Sequence, residues 1–218
     1  MKFQHYPETP LNLKSITVNN QRWYVAPSGK QYPSITTILS QKIKPKIQEW
    51  RQILGYTNAA KEINRCITRG TTLHETIEQY LKNENLKQHT DPLNGKLFSQ
   101  TKMMLNRINN IHLQEAALYN DKLKIAGRVD CVAEFDNILS VIDFKTSTNN
   151  KTLKMIADYK LQCTAYTLMF NEQYNGICED IVIIIGVEKG IVAQVFKDKI
   201  DKYISPLLKR INAFYETL

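Results

Sequence analysis

No apolar run in this chain approaches the ~20 residues a membrane-spanning helix needs; the longest, Ile181-Val182-Ile183-Ile184-Ile185, has the length of a strand. The opening stretch from Met1 to Pro10 lacks the apolar core of a secretory signal and is not rich in arginine. That predicts an intracellular, cytoplasmic chain with neither a signal peptide nor a mitochondrial leader. The cysteines at positions 66, 131, 163 and 178 form no Cys-x-x-Cys pair, so reduced, free thiols are the simple reading. No repeat or low-complexity tract breaks up the 218 residues, which fit one domain with room for an appended lobe. A chain of this size buries roughly 70% of its unfolded surface and needs no covalent staples.

Acidic residues are scarce in one half. Residues 1–90 hold 13 Lys and Arg against 6 Asp and Glu, whereas residues 91–218 are nearly balanced at 16 against 15. The total of +8 is compatible with a nucleic-acid partner and also with plain solubility. Its concentration in the first half predicts a basic surface separate from a more acidic second half.

Hydrophobic spacing divides the chain in the same place. Gln21–Val25 and Gln31-Tyr32 read as a small hairpin, and Ser34 as the N-cap of a helix that begins at Ile35 and breaks at Pro45. Helices are expected over about 46–54 and 58–67, with another opening at Arg69-Gly70 and carrying Leu73, Ile77, Tyr80 and Leu81 on one face. Residues 83–91 read as loop, and a helix from Pro92 runs to about Asn110. From there the period changes. Strands are expected over 113–119, 123–135 and 138–145, a helix over 152–171, strands over 181–187 and 191–196, and a closing helix over 198–217 that Pro206 can kink.

The second half carries the chemistry. Asp136-Asn137 is a turn pair, and a hairpin closed there brings Asp130 and Asp143 to one end of a sheet. Asp143 and Lys145, two apart on a strand, share a face. Two carboxylates and a lysine converging on one point make a divalent-cation site with a positive charge beside it, which is the chemistry of phosphodiester cleavage. Gln162 and Tyr166 lie one turn apart on the helix that follows. His74 is followed by Glu78 where a zinc-protease helix needs a second histidine, so that reading fails.

The ordered set Arg69-Gly70-Thr71-Thr72-Leu73-His74, Gly127-x-x-Asp130, Asp143-x-Lys145-Thr146 and Gln162-x-x-x-Tyr166 resembles the PD-(D/E)XK nucleases. More narrowly it is similar to the RecB-type exonuclease branch with its mitochondrial genome-maintenance and phage members. The likeness extends to Tyr32-Pro33-Ser34-Ile35-Thr36-Thr37-Ile38-Leu39 and to Trp50-Arg51, covering roughly residues 30–200. It implies an α/β, restriction-endonuclease-like core, a mixed sheet flanked by helices, with an N-terminal helical lobe. Residues 1–90 would be hairpin and basic lobe carrying the metal-site histidine, and residues 91–218 the nuclease core.

The resemblance also implies roles. His74, Asp130, Asp143 and the Phe144 carbonyl would hold one or two Mg²⁺ or Mn²⁺ ions, with Glu115 a further ligand or a surface charge. Lys145 would position the attacking water, and Gln162 would orient the lysine or a substrate phosphate. Tyr166 would pack, brace or touch DNA, and Thr146 would lie on the DNA side. Ser34, Thr36 and Thr37 would bind phosphate or cap their helix, and Trp50 and Arg51 would clamp bases or pack. Lys61, Arg65 and Arg69, spaced at four, would form a basic DNA-binding stripe or a solvated face. Some such nucleases carry an iron–sulfur cluster on closely spaced C-terminal cysteines; that spacing is absent, so no cluster is expected. The expected activity is a single-strand-preferring DNA exonuclease acting from free ends in genome maintenance, replication or recombination. Its cell would be a bacterium or phage-infected host, with a recombinase, helicase or single-strand-binding protein as possible partner. The alternatives are a structure-specific endonuclease or junction resolvase on the same fold, or a non-catalytic nucleic-acid-binding module.

Overall fold

A computed structural model describes residues 2–86 and 91–218. The chain begins with an antiparallel three-stranded sheet of β1 (Lys14–Val18), β2 (Gln21–Val25) and β3 (Gln31–Pro33). β1 adds a strand to the expected hairpin. It is joined to β2 by Asn19-Asn20, both at positive φ (51° and 58°), the tight-turn geometry that matches strand twist.

Three helices follow: α1 (Ile35–Ser40), α2 (Lys44–Leu54) and α3 (Tyr56–Leu81). α3 is one helix where a break was expected before Arg69-Gly70. A helical glycine costs about 1 kcal/mol, and burial of Leu73, Ile77 and Leu81 further along the helix outweighs it. Of the expected 83–91 loop, residues 87–90 lie outside the described residues.

α4 (Pro92–Leu105) stops five residues short of expectation, because Ile108 and Ile111 are already buried in β4 (Ile108–Asn120). β5 (Ile125–Phe135), β6 (Ile138–Ser147), α5 (Ala157–Tyr174), β7 (Asp180–Val187), β8 (Gln194–Lys199) and α6 (Asp201–Tyr215) complete the chain. Residues 153–156 form a turn before α5 rather than its first turn. β8 starts three residues later than expected, since pairing with β7 begins at Gln194 and leaves Ile191 exposed. α6 continues through Pro206.

The main sheet has the order β4-β5-β6-β7-β8 and is mixed: β6 and β7 are parallel, and every other neighbouring pair is antiparallel. α5 makes the crossover that a parallel pair requires. One face of the sheet packs on α1, α5 and α6 through residues such as Ile183, Ile185, Tyr166, Phe170 and Phe214. The other packs on α3 and α4, where Leu73, Ile77 and Leu97 meet Ile142, Phe144 and Ile184. β7 is thus buried on both faces, as its unbroken apolar run indicates. The architecture is an α/β core of a mixed sheet flanked by helices, with helices N-terminal to it. Among the described residues no helix is long and apolar enough to cross a membrane.

Candidate active site

The site lies where β4, β5 and β6 meet the middle of α3. Asp136 and Asn137 (φ 53° and 62°) close the β5–β6 hairpin and set its register, which pairs Cys131 with Ile142. Beyond that pair the Asp130 carboxylate takes over the ladder's role and accepts the Phe144 N–H at 2.8 Å. The Phe144 carbonyl accepts the His74 Nε2–H at 2.8 Å. His74 therefore presents Nδ1 to two carboxylates, 3.7 Å from Asp130 Oδ2 and 3.9 Å from Glu115 Oε1.

Glu115 reaches this point through a local break in β4. Its φ of 49° is left-handed, uncommon for a glutamate and costly within a strand. Leu113 and Ala116, an odd number of residues apart, face the same apolar cluster, as do Val132 and Val129 on β5. Alternation slips on both strands at Glu115 and Asp130, turning the two carboxylates toward His74. A ladder irregularity that re-aims a side chain is a recurrent active-site device.

The donor set fits a divalent cation. Ligand atoms of His74, Glu115 and Asp130 all lie within 4.8 Å of one another. An imidazole nitrogen facing two carboxylates needs a proton or a metal ion between them. Burial works against the protonated imidazole, but Asp130, Glu115 and Asp143 outweigh it, and the His74 pKa is pushed up to about 8. Two carboxylates and one imidazole supply the charge and the donor atoms that a divalent cation needs.

Asp143 is placed differently. Its carboxylate, 1% exposed, lies on the α5 side of the sheet. It accepts Lys145 Nζ at 2.6 Å and Gln162 Nε2 at 3.1 Å. Gln162 Nε2 also contacts the Tyr166 hydroxyl at 3.3 Å. Burial pushes the Asp143 pKa up to about 6, with Lys145 opposing the shift. Burial works against the Lys145 charge, yet Asp143 and Asp130 more than offset it and hold the ammonium above its ordinary range. At neutral pH this is a buried ion pair beside the His74–Glu115–Asp130 cluster.

The remaining expected residues divide into groups. Ser34 Oγ caps α1 by accepting the Thr37 N–H at 3.1 Å and lies 2.9 Å from the Thr36 and Thr37 hydroxyls, while Thr37 donates to the Arg22 carbonyl. Those hydroxyls are engaged within the protein, which is the capping arrangement. Trp50 and Arg51 lie on α2, a helix in which no described residue is buried, so Trp50 is not a core residue.

Lys61, Arg65 and Arg69 share continuous helix α3, but only Lys61 faces solvent without a partner among the described residues. Arg65 binds Glu62 and Glu188, each at 2.8 Å. Arg69 is buried, its Nη1 2.6 Å from Glu188 and its Nε donating to Thr146 at 3.2 Å. The expectation of an open three-residue stripe is corrected accordingly: the distant Glu188, unforeseeable from helical spacing, neutralises two of its members. Thr146 faces Arg69 rather than an open surface. Two residues at the site were not singled out from sequence, Arg22 on β2 and Arg128 on β5; both line clefts beside the cluster. For Arg128 the available signal was its place inside Gly127-x-x-Asp130.

Comparison with known proteins follows the same lines. A family model for the PD-(D/E)XK nuclease superfamily matches residues 49–186. The chain is similar to mitochondrial genome maintenance exonuclease 1 of Mus musculus, 28% identical over 176 residues that cover 76% of this chain and 50% of that protein. The Xenopus tropicalis protein of the same name is 30% identical over 177 residues, covering 76% and 49%. CRISPR-associated exonuclease Cas4 of Francisella tularensis subsp. novicida is 25% identical over 152 residues, covering 70% and 65%. The chain spans about half the length of the vertebrate relatives it matches.

Proposed function

Because this chain belongs to the PD-(D/E)XK nuclease superfamily, we propose that it is a divalent-metal-dependent deoxyribonuclease that digests DNA from free ends and prefers single strands. The observation that carries the reading is the junction of a His74–Glu115–Asp130 cluster with a buried Asp143–Lys145 pair across one β-hairpin. A non-catalytic binding module has no use for two carboxylates and an imidazole gathered at one point beside a lysine that is itself paired with a buried carboxylate.

His74, Glu115 and Asp130, with the Phe144 carbonyl and Asp143 at the hairpin, would hold one or two Mg²⁺ or Mn²⁺ ions. When bound, such an ion supplies Lewis acidity toward a phosphate oxygen and acidifies water. The protein's own contributions follow from the geometry. Lys145, kept protonated, offsets charge that builds on the phosphate and orients the attacking water. Asp143, itself held by Gln162, fixes the ammonium in place, so it loses little freedom when the reaction begins. Asp130 locks the Phe144 amide, and His74 locks the Phe144 carbonyl, which holds the strand carrying Asp143 and Lys145 rigid.

The single-strand preference is supported by α2 and the start of α3. Trp50, Ile53 and Tyr56 are exposed there beside Lys46, Arg51 and Lys61, the mix of stacking surfaces and cations that suits an unpaired strand. A role in genome maintenance agrees with the name of the vertebrate relatives; replication or recombination, with a recombinase, helicase or single-strand-binding protein as partner, is proposed with it. End-labelled linear and covalently closed DNA, single- and double-stranded, incubated with Mg²⁺ or Mn²⁺, tests the reading. Digestion of linear single strands with sparing of closed circles is expected; efficient cutting of circles would replace it with an endonuclease.

A further inference from the structure

Three clefts meet at Glu115 and Arg128, and they differ in charge. One, of about 340 Å³, lies between residues 10–15 and the β4–β5 pair and is lined by Arg22, Tyr24, Glu115 and Arg128. A second, of about 210 Å³, runs from the same two arginines past Asp130 to Gln162 and Tyr166. The third, of about 420 Å³, lies against α3 and brings Glu75, Glu78 and Glu115 together with His74. The α3 cleft gathers the glutamates with Arg128 alone, whereas both clefts on the side of the small sheet are lined by Arg22 and Arg128 together, which favours a phosphate there.

The two arginines are held at the base and free at the head. Arg128 Nε donates to the Glu115 carbonyl at 2.9 Å and lies 3.0 Å from Glu115 Oε2, an arrangement that the left-handed backbone at Glu115 makes possible. The two terminal amino groups of Arg128 have no protein partner among the described residues, and the side chain is 56% exposed. Arg22 is fixed through its backbone, its N–H on the Thr37 hydroxyl and its carbonyl on Ser34 N–H, while its guanidinium has no partner among the described residues. A guanidinium edge left free beside a carboxylate cluster matches the paired oxygens of a phosphate.

We infer that Arg22 and Arg128 form a phosphate subsite on the small-sheet side of the carboxylate cluster, which grips the phosphate next to the one that is cut. The subsite rests on the nuclease reading and sets the register of the strand: the distance from subsite to cluster determines which linkage reaches Lys145. Its ligand is a nucleic-acid phosphate, either an internal diester or the monoester at a strand end.

The test is binding of the full chain, in a Lys145→Ala background with Mn²⁺, to short single-stranded oligonucleotides. Each carries one neutral methylphosphonate linkage at a stepped position, with phosphate or hydroxyl at either end. Arg22→Gln and Arg128→Gln are each expected to weaken binding about tenfold, and Arg22→Lys to restore part of the loss. One neutral linkage should weaken binding similarly in the parent and add nothing in the double variant. If loss follows removal of a terminal phosphate instead, the subsite holds a strand end. Mn²⁺ affinity of Arg128→Gln, measured alongside, separates loss of the phosphate grip from a displaced Glu115. Unchanged binding in Arg22→Gln, or full additivity with every neutral linkage, would overturn the subsite. Arginine-dependent binding by a wild-type chain that cuts nothing would instead overturn the nuclease reading and leave the phosphate site standing.

Discussion

Gly127 and Tyr166 are in contact in a way that excludes any side chain at position 127: a Cβ there would lie 2.6 Å from Tyr166 Cε1. Tyr166 is buried and its hydroxyl meets Gln162, which in turn holds Asp143. The glycine of Gly127-x-x-Asp130 is thus required by packing against the helix that steadies the Asp143–Lys145 pair, and its φ is unremarkable.

Gly127→Ala is therefore expected to push Tyr166 aside and lower stability by about 1–3 kcal/mol, the usual cost of overpacking. Cleavage should fall more than stability explains, because Gln162 moves with the ring. A combined Gly127→Ala/Tyr166→Ala chain removes the clash. It should regain folding cooperativity in urea melts relative to Gly127→Ala/Tyr166→Phe, in which the offending ring carbon remains. Equal melts for the two double variants would show that the contact is not the cause.

Lys145→Ala is expected to reduce single-turnover cleavage about 10²–10³-fold, the range seen when a preorganised charge-stabilising group is removed, with DNA affinity nearly intact. It should also destabilise the fold, since the Asp143 carboxylate is left buried without its cation. Adding Asp143→Asn should restore stability and leave cleavage dead. The restored stability assigns the destabilisation to the unpaired Asp143 carboxylate; the chemical role of Lys145 is read from the single variant, in which wild-type turnover would remove the assignment.

Much of this is legible in the amino-acid sequence. Period-2 runs and the Asp136-Asn137 turn give β5 and β6, and motif spacing brings Asp130, Asp143, Lys145 and Gln162 to one hairpin and the helix beside it. What the sequence did not reveal depended on tertiary context. α3 runs through Gly70 because its later turns are buried, a gain that local propensity does not register. Glu115 joins the His74–Asp130 cluster through a left-handed kink that no residue type in Gln114-Glu115-Ala116 announces, whereas Asp143 turns to Lys145 instead. Arg65 and Arg69 have the spacing of a basic stripe, but Glu188, more than a hundred residues away, lies between them.

That last placement changes what a salt titration should show. Each phosphate neutralised on a single strand contributes about −0.7 to the slope of log affinity against log salt. Lys61→Gln should flatten the slope by up to about that amount. Arg69→Gln should leave the slope unchanged but destabilise the fold by about 1–3 kcal/mol, because Glu188 keeps Arg65 but loses its buried hydrogen-bonded partner. A slope that responds to Arg69→Gln in a chain that melts normally would mean the Arg69–Glu188 pair opens to DNA.

Asp198 offers a test of stability away from the site. Its carboxylate accepts Tyr203 Oη at 2.5 Å, Lys160 Nζ at 2.9 Å and Lys202 Nζ at 3.0 Å. Burial alone would raise its pKa, but these donors outweigh burial and hold it well below the carboxylate range. In the unfolded chain the group titrates near about 3.9. Between that value and the depressed folded one the native state binds fewer protons than the unfolded chain, so stability rises with pH across the window. The contribution is complete above about pH 4, is lost as the pH falls below it, and is about 2 kcal/mol. Asp198→Asn should consequently cost about that much in urea melts at pH 7, and the gap to wild type should narrow steadily toward pH 2–3. A gap that stays constant from pH 7 to pH 3 would mean that these donors stabilise the position by packing, with no contribution from the charge.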